Sequence, residues 1–73
     1  MRPGERFLLD WFELESTAEG YRLWSPDDPS PVAVVTALPE HCRVCMLKSG
    51  LEFRCDSLDE AERKVAACRY LGV

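Results

Sequence analysis

The sequence lacks the segments that would direct it into or across a membrane. No apolar run in its 73 residues approaches the ~20 residues needed to span a bilayer. Asp10 and Glu13 interrupt the apolar stretch near the start, so no secretory signal is indicated. We therefore expect a cytoplasmic protein without membrane contact.

Residues suited to catalysis are also scarce. His41 is the only histidine, and the sequence contains no Gly-rich phosphate loop. Ser57 is better explained as a helix cap than as a nucleophile. A chain of this length holds one small core and has little material for a cleft. We expect one domain over residues 1–73 that is not an enzyme and needs no cofactor.

Charge is distributed unevenly along the chain. Residues 1–40 contain eight acidic and three basic residues, a net charge of −5, whereas residues 41–73 contain five acidic and six basic residues, a net charge of +1. The acidic first part disfavours phosphate backbones, so we expect no direct contact with nucleic acid. It suits a basic protein partner, and it also serves solubility.

The end of the sequence predicts one α-helix. Ser57 and Glu60 have the spacing of a capping box, in which each side chain accepts a bond from the backbone N–H of the other residue. Gly72 supplies the stop. The range Ser57–Leu71 carries one narrow apolar stripe, formed by Leu58, Ala61, Val65 and Cys68, with Leu71 at its margin.

Residues 7–24 predict a β-hairpin with its tip at Ala18–Glu19. Its strands, Phe7–Glu15 and Tyr21–Ser25, are rich in aromatic residues, and the first alternates from Trp11 onward. A helix over residues 5–15 is the alternative, because the same apolar residues also fit helical spacing. The hairpin puts Phe12, Leu14, Tyr21 and Leu23 on one face and Trp11, Glu13, Glu15, Arg22 and Trp24 on the other.

The middle of the chain completes the predicted sheet. The loop Ser25–Pro31 contains three prolines and precedes Val32–Leu38, a β-branched run typical of a central strand. Cys42–Lys48 and Leu51–Cys55 then form a second hairpin around Ser49-Gly50. Its expected register pairs Lys48 with Leu51, Met46 with Phe53, and Val44 with Cys55.

This order of elements predicts an α+β fold. Two hairpins and a central strand give an antiparallel β-sheet of four to five strands, and the C-terminal α-helix packs on one face. Strand order stays open, because adjacent hairpins can join at either edge. The expected core beneath the helix consists of Val44, Met46, Phe53, Cys55, Phe12, Leu14 and Leu23.

Four cysteines raise the alternative of a zinc-stabilised domain. Cys42 and Cys45 form a Cys-x-x-Cys pair, and Cys55 and Cys68, or His41 in place of one cysteine, complete four ligands. The Arg-Val pair between the first two has no glycine or proline for a knuckle. In a strand, Cys42 and Cys45 point to opposite faces. We expect reduced thiols that pack as small apolar residues, with no bound metal.

The two tryptophans indicate a protein-interaction surface. One helix covers only one face of the sheet, so Trp11 and Trp24 are expected on the bare face, unless the proline-rich loop folds across them or a register slip turns them inward. Exposed tryptophan beside charged residues is typical of binding hot spots. The expected partner-binding residues are Trp11, Glu13, Glu15, Arg22, Trp24 and Leu47.

The sequence therefore favours a non-catalytic protein-interaction module. Its partner is a basic protein or a second copy of the chain, which gives a homodimer. In size, charge and lack of catalytic motifs, the chain is similar to small inhibitors encoded by phages and mobile elements, anti-CRISPR proteins among them. That resemblance covers no particular residue, and it implies inhibition of a basic, nucleic-acid-binding protein. The alternatives are the zinc-stabilised domain and an orphan structural domain.

Overall fold

A computed structural model describes residues 4–72 of the chain. These residues form one antiparallel sheet of six strands and one C-terminal helix, which confirms the α+β class and corrects the strand count of four to five. The strands lie in the sheet in chain order. The elements are β1 (Arg6–Leu8), β2 (Glu13–Ser16), β3 (Gly20–Trp24), β4 (Pro31–Ala37), β5 (Cys42–Met46), β6 (Glu52–Cys55) and α1 (Leu58–Leu71).

The additional strand arises because the predicted first strand is divided by a turn. The backbone reverses between Leu9 and Phe12, where the Leu9 N–H donates to the Phe12 carbonyl at 2.8 Å. β1 then pairs antiparallel with β2. The prediction of one continuous strand over Phe7–Glu15 is therefore wrong, and so is the alternative of a helix over residues 5–15.

The two hairpins differ in how well their registers were predicted. In the first, Glu15 lies opposite Arg22 as expected. In the second, Val44 lies opposite Phe53 instead of Cys55, because residues 47–50 form a four-residue loop. This shift of two residues keeps every side chain on its predicted face, since side chains alternate with a period of two.

The helix begins and ends where its capping signals predicted. The Glu60 N–H donates to Ser57 Oγ at 3.2 Å, and Gly72 takes the left-handed conformation with φ of 78°. The Glu60 carboxylate accepts from the N–H of Asp56 at 2.8 Å, one residue before the predicted donor. Among the described residues, no helix has the length and apolar character that crossing a membrane requires.

The core lies between α1 and one face of the sheet. Ala61 and Val65 are its buried helix residues, and their small size lets the helix approach the strands closely. Every core residue expected from the sheet is buried except Phe53, which is partly buried. The remaining buried apolar side chains come from β4, namely Val32, Ala33 and Val35.

Candidate functional site

The sheet face away from α1, called the open face below, carries alternate residues of every strand. The registers bring the predicted residues Glu13, Glu15, Arg22 and Trp24 together on it, on the two neighbouring strands β2 and β3. Arg6 and Leu8 of β1 join them at one edge. The rest of the face consists of Val34, Thr36, Arg43, Cys45, Glu52 and Arg54.

Trp24 on the open face is already engaged by its neighbours. Its indole N–H donates to Glu15 Oε1 at 2.8 Å, and the Arg6 guanidinium carbon lies 4.3 Å from the centroid of its rings. The proline-rich loop flanks it, since Pro26 and Pro29 line an open cleft of about 290 Å³ beside the ring. Trp24 is consequently half-buried and held in one orientation.

The two carboxylates of β2, Glu13 and Glu15, are also neutralised. Glu13 accepts from Arg6 at 3.2 Å, and Glu15 accepts from Arg22 at 3.2 Å. The Arg6–Glu13 pair is exposed on both sides, and pairs of this kind contribute little stability, about 0–1 kcal/mol, whereas the Glu15 side chain is only 12% exposed. Their effect here is on the electrostatic surface, because the predicted acidic face becomes a balanced one.

Trp11 does not lie on the open face, so the prediction that both tryptophans share it is wrong. Trp11 stands in the turn between β1 and β2, and its side chain is 53% exposed. It lines an open cleft of about 240 Å³ against the first turns of α1. This surface, called the Trp11 cleft below, consists of Asp10, Trp11, Asp59, Glu62 and Arg63.

A buried carboxylate fixes the position of Trp11. Glu62 Oε2 accepts from the backbone N–H of Trp11 at 2.8 Å and from that of Phe12 at 3.0 Å. Glu62 is only 2% exposed, and Phe12 beside it is buried in the core. The turn is thereby attached to the helix at a defined point. In the sequence, Glu62 looks like one more acidic residue near the helix start, and its distant partners give no local signal.

The proline-rich loop is fastened to the other end of the helix. Arg69 lies 3.9 Å from the carboxylates of both Asp27 and Asp28. The hydroxyl of Ser25 donates to the Asp27 carboxylate, and this bond, aided by Arg69, lowers the pKa of that carboxyl below its ordinary value of 3.8. These contacts fix the course of the loop over residues 25–30, which contains two prolines, because Pro31 already belongs to β4.

Leu47, the remaining predicted site residue, lies in the loop between β5 and β6. Its side chain is 48% exposed, and its backbone N–H donates to the Val32 carbonyl at 3.2 Å. It lies outside the strand in which it was predicted. It therefore belongs to the rim of the sheet and not to the group around Trp24.

The cysteines do not form the four-ligand set that the zinc alternative requires. Cys42 lies directly opposite Cys55 on the helix side of the sheet, whereas Cys45 is on the open face. A tetrahedral site needs ligands that converge on one point, and this sheet separates them. All four cysteines are free thiols, and no group of three or more metal-binding side chains occurs within residues 4–72.

Cys55 is expected to be the least reactive of these thiols. It is 1% exposed, and burial raises its pKa above the ordinary value of 9.0. The buried site favours the neutral thiol of Cys55. The contribution of this thiol to stability is fully present below the pKa of the unfolded chain and is lost as the pH rises through the higher pKa of the folded protein.

Timed alkylation of the native protein, followed by mass spectrometry, should modify Cys55 more slowly than the half-buried Cys45. Equal rates in the folded protein would contradict this placement, whereas equal rates in urea are expected.

The fold and surfaces define a class of protein but no family. The chain is a two-layer α+β protein in which one helix covers one face of an antiparallel meander sheet. Comparison with protein-family models, with curated protein sequences and with solved structures finds no match.

Proposed function

We propose that this protein is a non-catalytic module that binds a basic protein through the Trp11 cleft. The observation that supports this most directly is the exposed indole of Trp11 beside the carboxylates of Asp10 and Asp59. An indole ring attracts a lysine or arginine side chain through its π-face, and neighbouring carboxylates add charge-assisted hydrogen bonds. A basic side chain of the partner therefore suits this cleft.

The charge of the cleft supports the same assignment. Three carboxylates and the guanidinium of Arg63 give it a net charge of −2. Glu62 is committed to two backbone N–H groups, which leaves Asp10 and Asp59 for a partner. Neither of these two has an ion-pair partner among the described residues. Rigid attachment of the turn to α1 also reduces the entropy lost on binding.

The open face is a weaker candidate for a basic partner. Trp24 already interacts with Arg6 and Glu15, and both carboxylates of β2, Glu13 and Glu15, have arginine partners. A basic protein would have to displace these arginines before it gained any new contact. That exchange offers little net free energy at an exposed surface.

Inhibition is the activity that follows most directly from this binding mode. A module that covers a basic surface prevents nucleic acid from reaching it, because both compete for the same positive charges. We place its action in the cytoplasm, where the four free thiols would remain reduced. The acidic composition of the chain is consistent with this role.

The test is affinity capture from a lysate of the source cells with variants of the cleft. Trp11→Ala and the double variant D10N/D59N are each expected to reduce the amount of retained partner at least about tenfold, as for a hot-spot residue. Retention by the unmodified protein should decrease steeply as salt is added, because exposed charges are screened.

The matched control is Tyr70→Ala, which removes an aromatic side chain that is 91% exposed near the end of α1. It should leave retention unchanged. Undiminished capture by both cleft variants, with their fold intact by circular dichroism, would reject the cleft as the binding surface. Loss of capture with Trp24→Ala alone would transfer the function to the open face.

A further inference from the structure

Strand β6 forms one edge of the sheet, and its outer side is unpaired by any strand within residues 4–72. The Met46 N–H donates to the Leu51 carbonyl at 2.8 Å, so this is a hydrogen-bonded pair. Hydrogen-bonded and non-hydrogen-bonded pairs alternate along an antiparallel ladder. The next hydrogen-bonded pair is therefore Val44 with Phe53. Glu52 and Arg54 lie at non-hydrogen-bonded positions opposite β5, so their backbone N–H and C=O groups point outward from the sheet edge.

The same alternation brings two arginines close together. Arg43 lies opposite Arg54 at a non-hydrogen-bonded position, where side chains of neighbouring strands approach most closely. Like charges directly opposite each other are destabilising. Arg54 has one ion-pair partner, Asp56, at the long distance of 3.8 Å, and Arg43 has none in the described part of the chain. Because β6 is an edge strand, no acidic side chain of a further strand lies beside Arg54 to offset the charge of these two arginines.

We infer that β6 pairs antiparallel with β6 of a second copy of this chain, about a two-fold axis at Phe53. This inference does not depend on the proposed function, since β6 contributes nothing to the Trp11 cleft. In this register, Glu52 of each copy lies opposite Arg54 of the other. The two outward-facing residues of each strand then exchange about four backbone hydrogen bonds with the second copy.

Charge selects this register over its neighbours. An axis at Glu52 would set two glutamates against each other, and an axis at Arg54 would set two arginines against each other. The axis at Phe53 instead forms two Glu–Arg pairs and supplies the missing acidic neighbour beside the arginine pair of β5 and β6. Closed two-fold pairing is also the commonest symmetry of soluble homo-oligomers.

The helix side of the edge is compatible with this pairing. Phe53 is only partly buried, and at a non-hydrogen-bonded position on the axis it would contact Phe53 of the second copy. Lys64 Nζ donates to the Arg54 carbonyl at 3.4 Å, which is near the long limit for a hydrogen bond. The long lysine side chain leaves this carbonyl when a backbone N–H of the second copy takes its place.

Charge reversal at two positions tests the pairing by sedimentation equilibrium. The unmodified protein should show a concentration-dependent monomer–dimer equilibrium. E52R and R54E should each weaken dimerisation at least about tenfold, because each puts like charges opposite each other. An equimolar mixture of the two variants should associate as tightly as the unmodified protein, to within about threefold, and so should the double variant E52R/R54E.

Glu40→Arg is the matched control, since it makes the same charge change in the exposed loop between β4 and β5. It should leave the dimerisation constant unaltered. If the protein stays monomeric at all concentrations up to about 1 mM, the inference is overturned, because a dimer with a dissociation constant in the millimolar range or below would be detected at that concentration. Dimerisation that tolerates both single reversals would overturn it too. Far-UV circular dichroism of each variant establishes that the fold is retained.

Discussion

Replacing Glu62 with alanine is expected to destabilise the protein by about 3 kcal/mol, a large fraction of the stability of a small domain. The reason is that its carboxylate accepts from two backbone N–H groups, those of Trp11 and Phe12, inside the fold. Removal leaves these donors without a partner and leaves a cavity under the turn. In the unmodified protein, no buried side-chain nitrogen or oxygen within residues 4–72 lacks a hydrogen-bond partner. Urea denaturation followed by circular dichroism measures the difference.

Two further variants show whether the carboxylate itself is responsible. Glu62→Gln keeps an accepting oxygen but loses the charge, so about half of the destabilisation is expected. Glu40→Ala removes an exposed glutamate and should change the free energy of unfolding by less than about 0.5 kcal/mol. A Glu62→Ala variant as stable as this control would show that the turn does not depend on the helix. The alanine variant should also bind the partner less tightly, because Trp11 would lose its fixed position.

Replacing Gly20 with alanine is expected to cost about 3 kcal/mol or more. A methyl group at this position would lie 2.1 Å from the Val35 carbonyl oxygen and 2.9 Å from the Ala37 nitrogen. Both atoms belong to the backbone of β4, so neither can rotate away as a side chain would. β3 and β4 would have to separate at the end of their ladder. Thermal and urea denaturation both report the loss.

Gly50→Ala is the informative comparison for Gly20. Gly50 has φ of 77°, and the space around it is open, so an alanine there meets only the backbone penalty of about 1 kcal/mol. The loss at Gly20 should be at least twice as large. Similar losses at both positions would mean that β3 and β4 adjust easily. Gly20 therefore closes the tip of the first hairpin through its bonds with Thr17 and also lets the backbones of β3 and β4 approach closely.

The parts of the fold that the sequence predicted well are those specified by neighbouring residues. Ser57 and Gly72 mark the ends of α1 through contacts within one helical turn. The register of the first hairpin follows from a two-residue tip, where the Thr17 N–H donates to the Gly20 carbonyl at 2.8 Å. Alternation within each strand then assigned the faces correctly, even where the second hairpin was shifted by two residues.

The parts that sequence reasoning missed depend on contacts between distant residues. The turn at residues 9–12 contains neither glycine nor proline, so the first strand read as continuous. Two hydrogen bonds stabilise this turn, and they join Glu62 to Trp11 and Phe12, which precede it in the chain by 51 and 50 positions. No local pattern reports such a partner. The sequence therefore placed Trp11 on the open face. In the structure Trp11 lies beside α1, and the candidate binding surface lies there and not on the sheet.

The most direct test of the Trp11 cleft uses the two tryptophans as separate reporters. The protein is labelled with fluorotryptophan, and its two ¹⁹F NMR resonances are assigned with Trp11→Phe and Trp24→Phe variants. The captured partner, left unlabelled, is then added. We predict that the Trp11 resonance shifts or broadens on binding while the Trp24 resonance stays in place. A shift confined to Trp24, or no change in either resonance on formation of the complex, would contradict the account.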